Sequence, residues 1–266
     1  MKYLVTGGAG FIGSYIVDAL VGFGHDVVVL ENLDTGSKDN LSGVWDTVTF
    51  MEGDVRDDDV CLRAAAGCDG IFHEAALVSV ADSVERPRDN HDINITGMLN
   101  VLEAARTSGV GRVVFASSAA VYGENPELPK SEDMLPEPIT PYAVAKLTGE
   151  HYLRTYAELY GLKTVALRYF NVYGPRQNPS SPYSGVISIF QKRVGQGLPV
   201  TIFGDGEQTR DFVNVRDVVT ANLLAMNVPE VGRIAEAPFS LFNVATGKPT
   251  SLLGMMDDLV AITGND

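Results

Sequence analysis

The feature that most constrains this chain is a short β-branched run, Tyr3-Leu4-Val5-Thr6, that breaks into Gly7-Gly8-Ala9-Gly10-Phe11-Ile12-Gly13 and continues with helical character from Phe11 to Leu20. Strand, glycine turn and helix in that order suit a dinucleotide. The first glycine allows a tight turn, the second lets backbone approach a pyrophosphate, and the third lets helix pack on strand. N–H groups of the first helical turn then meet the anion, which makes Gly7, Gly10, Phe11 and Ile12 candidate cofactor contacts. A glycine triplet alone is a weak signal; its position straight after a first strand raises it.

Its partner is Glu31, which closes a second run, Asp26–Leu30, 18 residues after Gly13. A carboxylate there accepts both adenosine-ribose hydroxyls. With no Arg in Glu31-Asn32-Leu33-Asp34-Thr35, a 2′-phosphate would meet only repulsion, so the expected cofactor is NAD rather than NADP. Asp54, in Gly53-Asp54-Val55, is placed to contact adenine. His73-Glu74-Ala75-Ala76 follows a fourth run, where Ala75 and Ala76 let a cofactor lie close to backbone; His73 reads as a satisfied core residue.

Strand-like runs at Tyr3–Thr6, Asp26–Leu30, Val48–Met51, Ile71–His73, Arg112–Ser117 and Thr164–Leu167 alternate with helical segments. The clearest helix carries Ile95, Met98, Leu99, Leu102 and Ala105 on one stripe. The alternation predicts an α/β fold, a Rossmann-type doubly wound parallel sheet. Beyond residue 170 the strands become short and separated, as at Val200–Phe203 and Leu241–Val244. The expected division is a Rossmann domain over 1–170, with 211–226 and 239–246 returning to it. A smaller interleaved substrate lobe would take 171–210, 227–238 and 247–266. Two stretches break the alternation, 124–141 with five prolines and 174–185; the first lies between candidate catalytic groups and reads as a functional loop rather than a linker.

Tyr142-Ala143-Val144-Ala145-Lys146 places a phenol and an ammonium on one face of a helix that Thr140 can cap and Pro141 can open. A nearby ammonium stabilises a phenolate; lowering a tyrosine from near 10 to about 7 takes roughly 4 kcal/mol. The same spacing is common on amphipathic helices. It gains weight because the fifth strand ends in Ala116-Ser117-Ser118, at the carboxyl edge where ligands of parallel sheets bind.

The segments 6–14, Ser117-Ser118-Ala119-Ala120-Val121-Tyr122-Gly123, Pro141–Lys146 and Arg168-Tyr169-Phe170-Asn171-Val172-Tyr173-Gly174-Pro175-Arg176-Gln177 together resemble the extended short-chain dehydrogenase/reductase family, in its NAD-dependent epimerase/dehydratase group. The resemblance runs over nearly the whole chain. It implies 4-epimerisation of a UDP-hexose through a 4-keto sugar, on UDP-glucose/UDP-galactose, UDP-GlcNAc/UDP-GalNAc or both. Tyr142 would be the base, Lys146 would hold the nicotinamide ribose, and Ser118 would share the hydrogen bond of the 4-hydroxyl. The resemblance further implies Asn32, Val55, Asn94, Ser117 and Tyr169 at the cofactor, Asn171 and Arg210 at the substrate diphosphate, and Val186, Ile202 and Phe203 near uridine. It also implies a homodimer packed through helices around 94–106 and 142–160. Family members usually continue past the helix at 251–263 with an Arg-Pro-Gly-Asp type motif; this chain ends at Asp266 and reads as truncated there.

Dehydratases and decarboxylases of this outline carry an acidic residue soon after the strand-five hydroxyl. Here Ala119 and Ala120 stand in those places, and alanine cannot transfer a proton. A reductase using the same Tyr and Lys, or a non-catalytic nucleotide-sugar-binding protein, are the other readings. The balance of 34 acidic to 20 basic residues disfavours nucleic acid and anionic membranes as partners. Cys61 and Cys68 form no zinc or disulfide pattern, and no metal is expected. The apolar stretch at the N-terminus is far too short for a signal or span, so the expected compartment is the cytoplasm.

Overall fold

The computed structural model describes residues 1–177, 186–202 and 204–264. The strands are β1 (Lys2–Thr6), β2 (Asp26–Glu31), β3 (Val48–Glu52), β4 (Gly70–His73), β5 (Arg112–Ser118), β6 (Lys163–Tyr169), β7 (Asn171–Tyr173), β8 (Thr209–Asn214), β9 (Phe239–Val244) and β10 (Pro249–Ser251). The helices are α1 (Phe11–Gly22), α2 (Asp58–Ala65), α3 (Val80–Glu85), α4 (Pro87–His91), α5 (Gly97–Thr107), α6 (Pro141–Tyr160), α7 (Val186–Gly195), α8 (Val215–Met226) and α9 (Leu252–Thr263).

Among the described residues one sheet runs in the order β3-β2-β1-β4-β5-β6-β9, parallel throughout. The chain winds outward from β1 to β3, then returns to lay β4 on the other side of β1. The loops after β1 and β4 therefore diverge, and the crevice between them is where ligands of such sheets bind. A smaller sheet, β10-β8-β7, stands beside it.

Successive strand residues face opposite sides. Val5, Val29, Phe72, Val114 and Val165 meet Ile16, Val17 and Leu20 of α1 and Val218 and Leu223 of α8. Leu4, Val28, Ile71, Val113 and Ala166 meet Met98 and Leu102 of α5 and Leu153 of α6. Each large aliphatic side chain so buried contributes about 1.5–3 kcal/mol, and the two cores hold the sheet rigid under its carboxyl edge.

The stripe expected at 95–105 faces the sheet, with Met98, Leu102 and Ala105 buried. Its first turn differs from expectation, because Asp92–Thr96 is a π-helical turn, a form that often marks functional sites. The strand expected at 200–203 is not formed in residues 200–202. That run meets no ladder partner; Pro199 just before it gives its carbonyl to Arg193 Nε at 2.6 Å. Phe203 lies outside the described residues, as does 178–185 of the second loop. β9 joins the main sheet and α8 packs on it, whereas 211–214 belong to β8 of the small sheet.

Candidate active site

The glycine turn closes on itself before α1 begins. Gly7, at φ 69°, donates to the Leu30 carbonyl at 2.8 Å, and Gly10 donates to Gly7 at 3.0 Å. A Cβ on Gly7 would lie 2.7 Å from the Ala75 nitrogen, and one on Gly13 would lie 2.2 Å from the Gly7 carbonyl oxygen. Gly10 caps α1 without a side chain, and the first turn carries no acidic residue. The N–H groups at Phe11 and Ile12 have no intrahelical acceptor. A cradle without side chains under an uncapped helix end fits the pyrophosphate of a dinucleotide.

Glu31 is buried at the end of β2. Its Oε2 accepts from Ala9 N at 3.2 Å and its Oε1 from Leu33 N at 3.0 Å, so two backbone bonds aim the carboxylate beside the glycine turn. Gly36 covers it closely enough that an added Cβ would stand 2.9 Å from Oε2. Asn32 Nδ2 donates to Asp54 Oδ2 at 2.9 Å. Asp54 also takes Arg56 Nε and Nη2 at 2.9 and 2.8 Å, and that guanidinium holds its carboxyl well below the ordinary carboxylate range. Val55 is buried under Gly97 and forms wall behind Asp54.

Across the crevice, Ala75 N donates to Thr6 Oγ1 at 3.3 Å. Asn94 clasps the next residues: its Oδ1 accepts from Leu77 N and its Nδ2 donates to Leu77 O, both at 2.9 Å. Nδ2 also donates to Asn90 Oδ1 at 2.8 Å, while Asn90 Nδ2 donates to Pro141 O at 3.0 Å. The asparagine pair thus sets both the loop after β4 and the start of α6. His73 is a core residue: its Nδ1 meets Thr6 Oγ1 at 2.8 Å, its ring stacks on Phe115, and burial pushes its pKa down to about 3, leaving it neutral.

Thr140 caps α6 by accepting from Ala143 N at 3.2 Å, and Pro141 occupies the first turn. Tyr142 follows, its N–H donating to Ser83 Oγ at 3.2 Å, and its phenol lies near enough to Ser118 for that side chain to pull its pKa down. Ser118 ends β5, and its Oγ accepts from Ala120 N at 3.2 Å. One turn along α6, the Lys146 ammonium donates to the Ala116 carbonyl at 2.7 Å, 4.9 Å from the Phe115 ring centre and 5.6 Å from that of Tyr142. Burial pushes Lys146 down to about 8, opposed by the charge of Glu74. Burial also pushes the Tyr142 phenol above its ordinary value; the Ser118 side chain opposes this and Glu74 adds to it. That direction is opposite to the one expected from lysine alone, because burial of the phenol outweighs the groups that would lower it.

Ser117 points away from Ser118: its Oγ donates at 2.6 Å to Glu150, which also takes Arg168 Nε at 2.9 Å and Nη2 at 2.7 Å. Arg168 and Glu150 form a buried pair beneath the site. Tyr169 donates to Glu74 Oε1 at 2.9 Å and accepts from Asn222 Nδ2 at 2.7 Å. Sequence reasoning passed over Arg56, Glu74, Glu150 and Asn222. Glu150 alone had a legible signal, standing four residues after Lys146 on the same helical face.

The proline-rich loop is a structured flap. Gly123, at φ 60°, would place a Cβ 2.0 Å from the Glu137 carbonyl oxygen, and Glu137 N returns to Val121 O at 2.9 Å. Glu132 Oε1 accepts from Asn243 N at 2.6 Å, and Tyr122 donates to Asn243 Oδ1 at 2.7 Å. On the small sheet, Asn171 pairs in register with Phe212 and donates to the Asp211 carbonyl at 3.0 Å. Arg210 stands two residues away, exposed, bonded to the Thr209 carbonyl at 2.8 Å and paired with neither Asp205 nor Glu207. Ile202 packs near Gly206. Val186 begins α7, its side chain outside the described residues.

The profile of the NAD dependent epimerase/dehydratase family matches residues 3–245. A putative UDP-glucose 4-epimerase from Methanocaldococcus jannaschii is 43% identical over 256 residues, covering 96% of this chain and 80% of that protein. The crystal structure of UDP-glucose 4-epimerase with UDP-glucose from Thermotoga maritima is 42% identical and superposes with a TM-score of 0.93, covering 100% of this chain and 84% of that one. UDP-N-acetylglucosamine 4-epimerase from Methanobrevibacter ruminantium, in complex with UDP-N-acetylmuramic acid, is 38% identical with a TM-score of 0.93, covering 100% and 83%.

Proposed function

The chain belongs to the NAD dependent epimerase/dehydratase family, and from that premise we propose that it is an isomerase that inverts C4 of a UDP-hexose with NAD as cofactor. The observation that carries this reading is the meeting of Tyr142, Ser118 and Lys146 at the carboxyl edge of β5, across the crevice from the glycine turn. The UDP-glucose/UDP-galactose pair, the UDP-GlcNAc/UDP-GalNAc pair or both are the substrates that fit it.

Bound NAD⁺ would supply the acceptor and donor of hydride at C4. Phe11 and Ile12 N–H groups would hold its pyrophosphate and Glu31 its adenosine ribose, with Asn32, Asp54 and Val55 about the adenine. Ala75, Ala76, Asn94 and Tyr169 would shape the opposite wall, whereas the Ser117 side chain, expected there, is turned beneath the site to Glu150. Tyr142 Oη takes the proton of the sugar 4-hydroxyl, and Ser118 Oγ shares that hydroxyl's hydrogen bond. A phenol held above 10 by burial is a poor base, so the positive charges of Lys146 and of the oxidised cofactor must lower it in the complex. Loss of that proton together with hydride from C4, which NAD⁺ would accept, would leave a 4-keto sugar that turns about its link to the diphosphate and would take hydride back on its other face. The turn requires a firm grip on the diphosphate, by Asn171 and Arg210, and a looser pocket around the sugar. Val186, Ile202 and Phe203 would line the uridine side.

Ala119 and Ala120 form the turn straight after Ser118, which leaves no proton-transferring group where water elimination would need one. The division into a Rossmann domain and a substrate lobe belongs to the same proposal, as do a homodimer through α5 and α6 and a cytoplasmic location. Among the described residues no helix is long and apolar enough to cross a membrane. The test is a panel of UDP-sugars incubated with purified protein and no added cofactor. Epimer formation within one of the two pairs is expected; a stoichiometric demand for NADPH would sink the reading.

A further inference from the structure

The segment Gly174-Pro175-Arg176-Gln177, which the mechanism above leaves unused, carries the chain away from β7 and lays it on the outer face of α1. Arg176 stands at φ 68°, in the left-handed region that residues with a Cβ avoid. Such a backbone persists only where its surroundings over-determine it, and here the arginine side chain supplies the hold. Its Nη2 donates to Asp18 Oδ2 at 2.7 Å and its Nη1 to Ser14 Oγ at 3.1 Å, two groups four residues apart on one helical face. The guanidinium lies 4.5 Å from the centre of the Tyr15 ring, and the Tyr15 hydroxyl donates to the Pro175 carbonyl at 3.3 Å.

A guanidinium only donates, so Ser14 Oγ is the acceptor of the Arg176 bond. The Ser14 hydroxyl donates in turn to the Phe11 carbonyl at 3.2 Å. Phe11 opens α1, and its N–H belongs to the cofactor cradle. On the other side of the clamp, Gly174 is wedged against the start of α8: a Cβ there would stand 2.6 Å from Val215 Cγ1 and 3.8 Å from Phe11 Cε2. Just before it runs β7, which begins at Asn171 and pairs with β8, the strand that carries Arg210. One arginine thus ties the first two turns of the cofactor helix to the exit of the strand pair bearing both residues assigned to the diphosphate.

We propose that Arg176 is a positioning residue for the substrate diphosphate: fixed on Ser14, Tyr15 and Asp18, it sets where the β7–β8 pair stands relative to bound cofactor. This deepens the UDP-hexose reading and rests on it for the roles given to Asn171 and Arg210. The clamp serves placement more than stability. Its ion pair has side chains 29% and 33% exposed, a setting in which such pairs add little, and the left-handed backbone works against it. Lysine could not take its place, because an ammonium has neither the fork that spans Ser14 and Asp18 nor the plane that stacks on Tyr15.

The test is titration of the purified protein with UDP by calorimetry, beside steady-state kinetics on the UDP-hexose and thermal unfolding. Arg176→Gly suits the backbone and removes the clamp. The Kd for UDP and the KM should each rise about tenfold, with kcat within about threefold, NAD content unchanged and the melting temperature within about 4 °C. Asp18→Ala should produce the same change in smaller measure, and the double variant should lose no more than Arg176→Gly alone, the mark of one shared interaction. Asp18→Ala also decides the case in which Arg176→Gly does not fold. A Kd for UDP unmoved in the deciding variant would overturn the proposal. So would a rise accompanied by loss of NAD or by a larger fall in melting temperature, which would assign Arg176 to folding. Wild-type protein that binds no UDP would defeat the UDP-hexose reading and this inference with it, whereas a wild type and variants that bind UDP equally well would defeat this inference alone.

Discussion

The Lys146 ammonium stands 5.6 Å from the centre of the Tyr142 ring while it donates at 2.7 Å to the Ala116 carbonyl. One helical turn and one strand end thereby fix a cation beside a phenol. Tyr142 also reaches Ser118 on the same strand. Replacing Tyr142 by Phe removes the proton acceptor and leaves the ring in place. Turnover should fall by about 10³-fold or more, in the upper range for general acid–base groups, with the Kd for UDP changed by less than about threefold. Steady-state kinetics and calorimetry check this together; a variant of near-normal kcat would remove Tyr142 from the chemistry.

The pH dependence follows from Lys146. Its pKa is lowered in the folded chain to about 8, so the fraction carrying the needed charge is nearly full at pH 6 and falls as pH rises through about 8. Activity should therefore decline on the alkaline side about two units below where a solvent-exposed lysine would place the limb. A rate profile flat to pH 10 would contradict this.

Gly13 packs so tightly on the first glycine that an added Cβ would stand 2.2 Å from the Gly7 carbonyl oxygen. That contact is backbone and cannot swing aside. Gly13→Ala should displace α1 from β1, with protein isolated without nucleotide and destabilised by about 1–3 kcal/mol, as for other overpacked sites. Cofactor content by absorbance and chemical denaturation measure the two effects; full occupancy by NAD would count against the cradle.

How legible all this was depended on whether a residue acts through its neighbours in sequence or across space. The parallel sheet, the glycine turn and the capped Tyr142–Lys146 helix are local patterns, and each forms where the pattern placed it. The strand expected at 200–203 does not form in residues 200–202, because an apolar run becomes a strand only when a partner ladder exists. The direction of the Tyr142 shift was missed because burial, a product of the fold, outweighs the spacing of two residues on a helix. Glu74 and Asn222 lie 148 positions apart and join only through Tyr169, so no short motif could announce them.

Beneath the site, Arg168 and Glu150 are paired at 2.7 Å with side chains 2% and 5% exposed. Removing one partner leaves a buried charge alone. Glu150→Ala should cost about 3–5 kcal/mol of stability and release Ser117 from its 2.6 Å bond. Urea unfolding gives the value; a loss under about 1 kcal/mol would mean that the pair does not hold α6 against β5 and β6.

The central claim is that hydride leaves C4 and returns to the same carbon within one closed site. The direct measurement follows a UDP-hexose carrying deuterium at C4 through conversion to its epimer in ordinary water. The epimer should keep its deuterium at C4 in full, with no added cofactor consumed. Loss of that label to solvent, or an epimer formed only at the expense of added NADH or NADPH, would contradict the account.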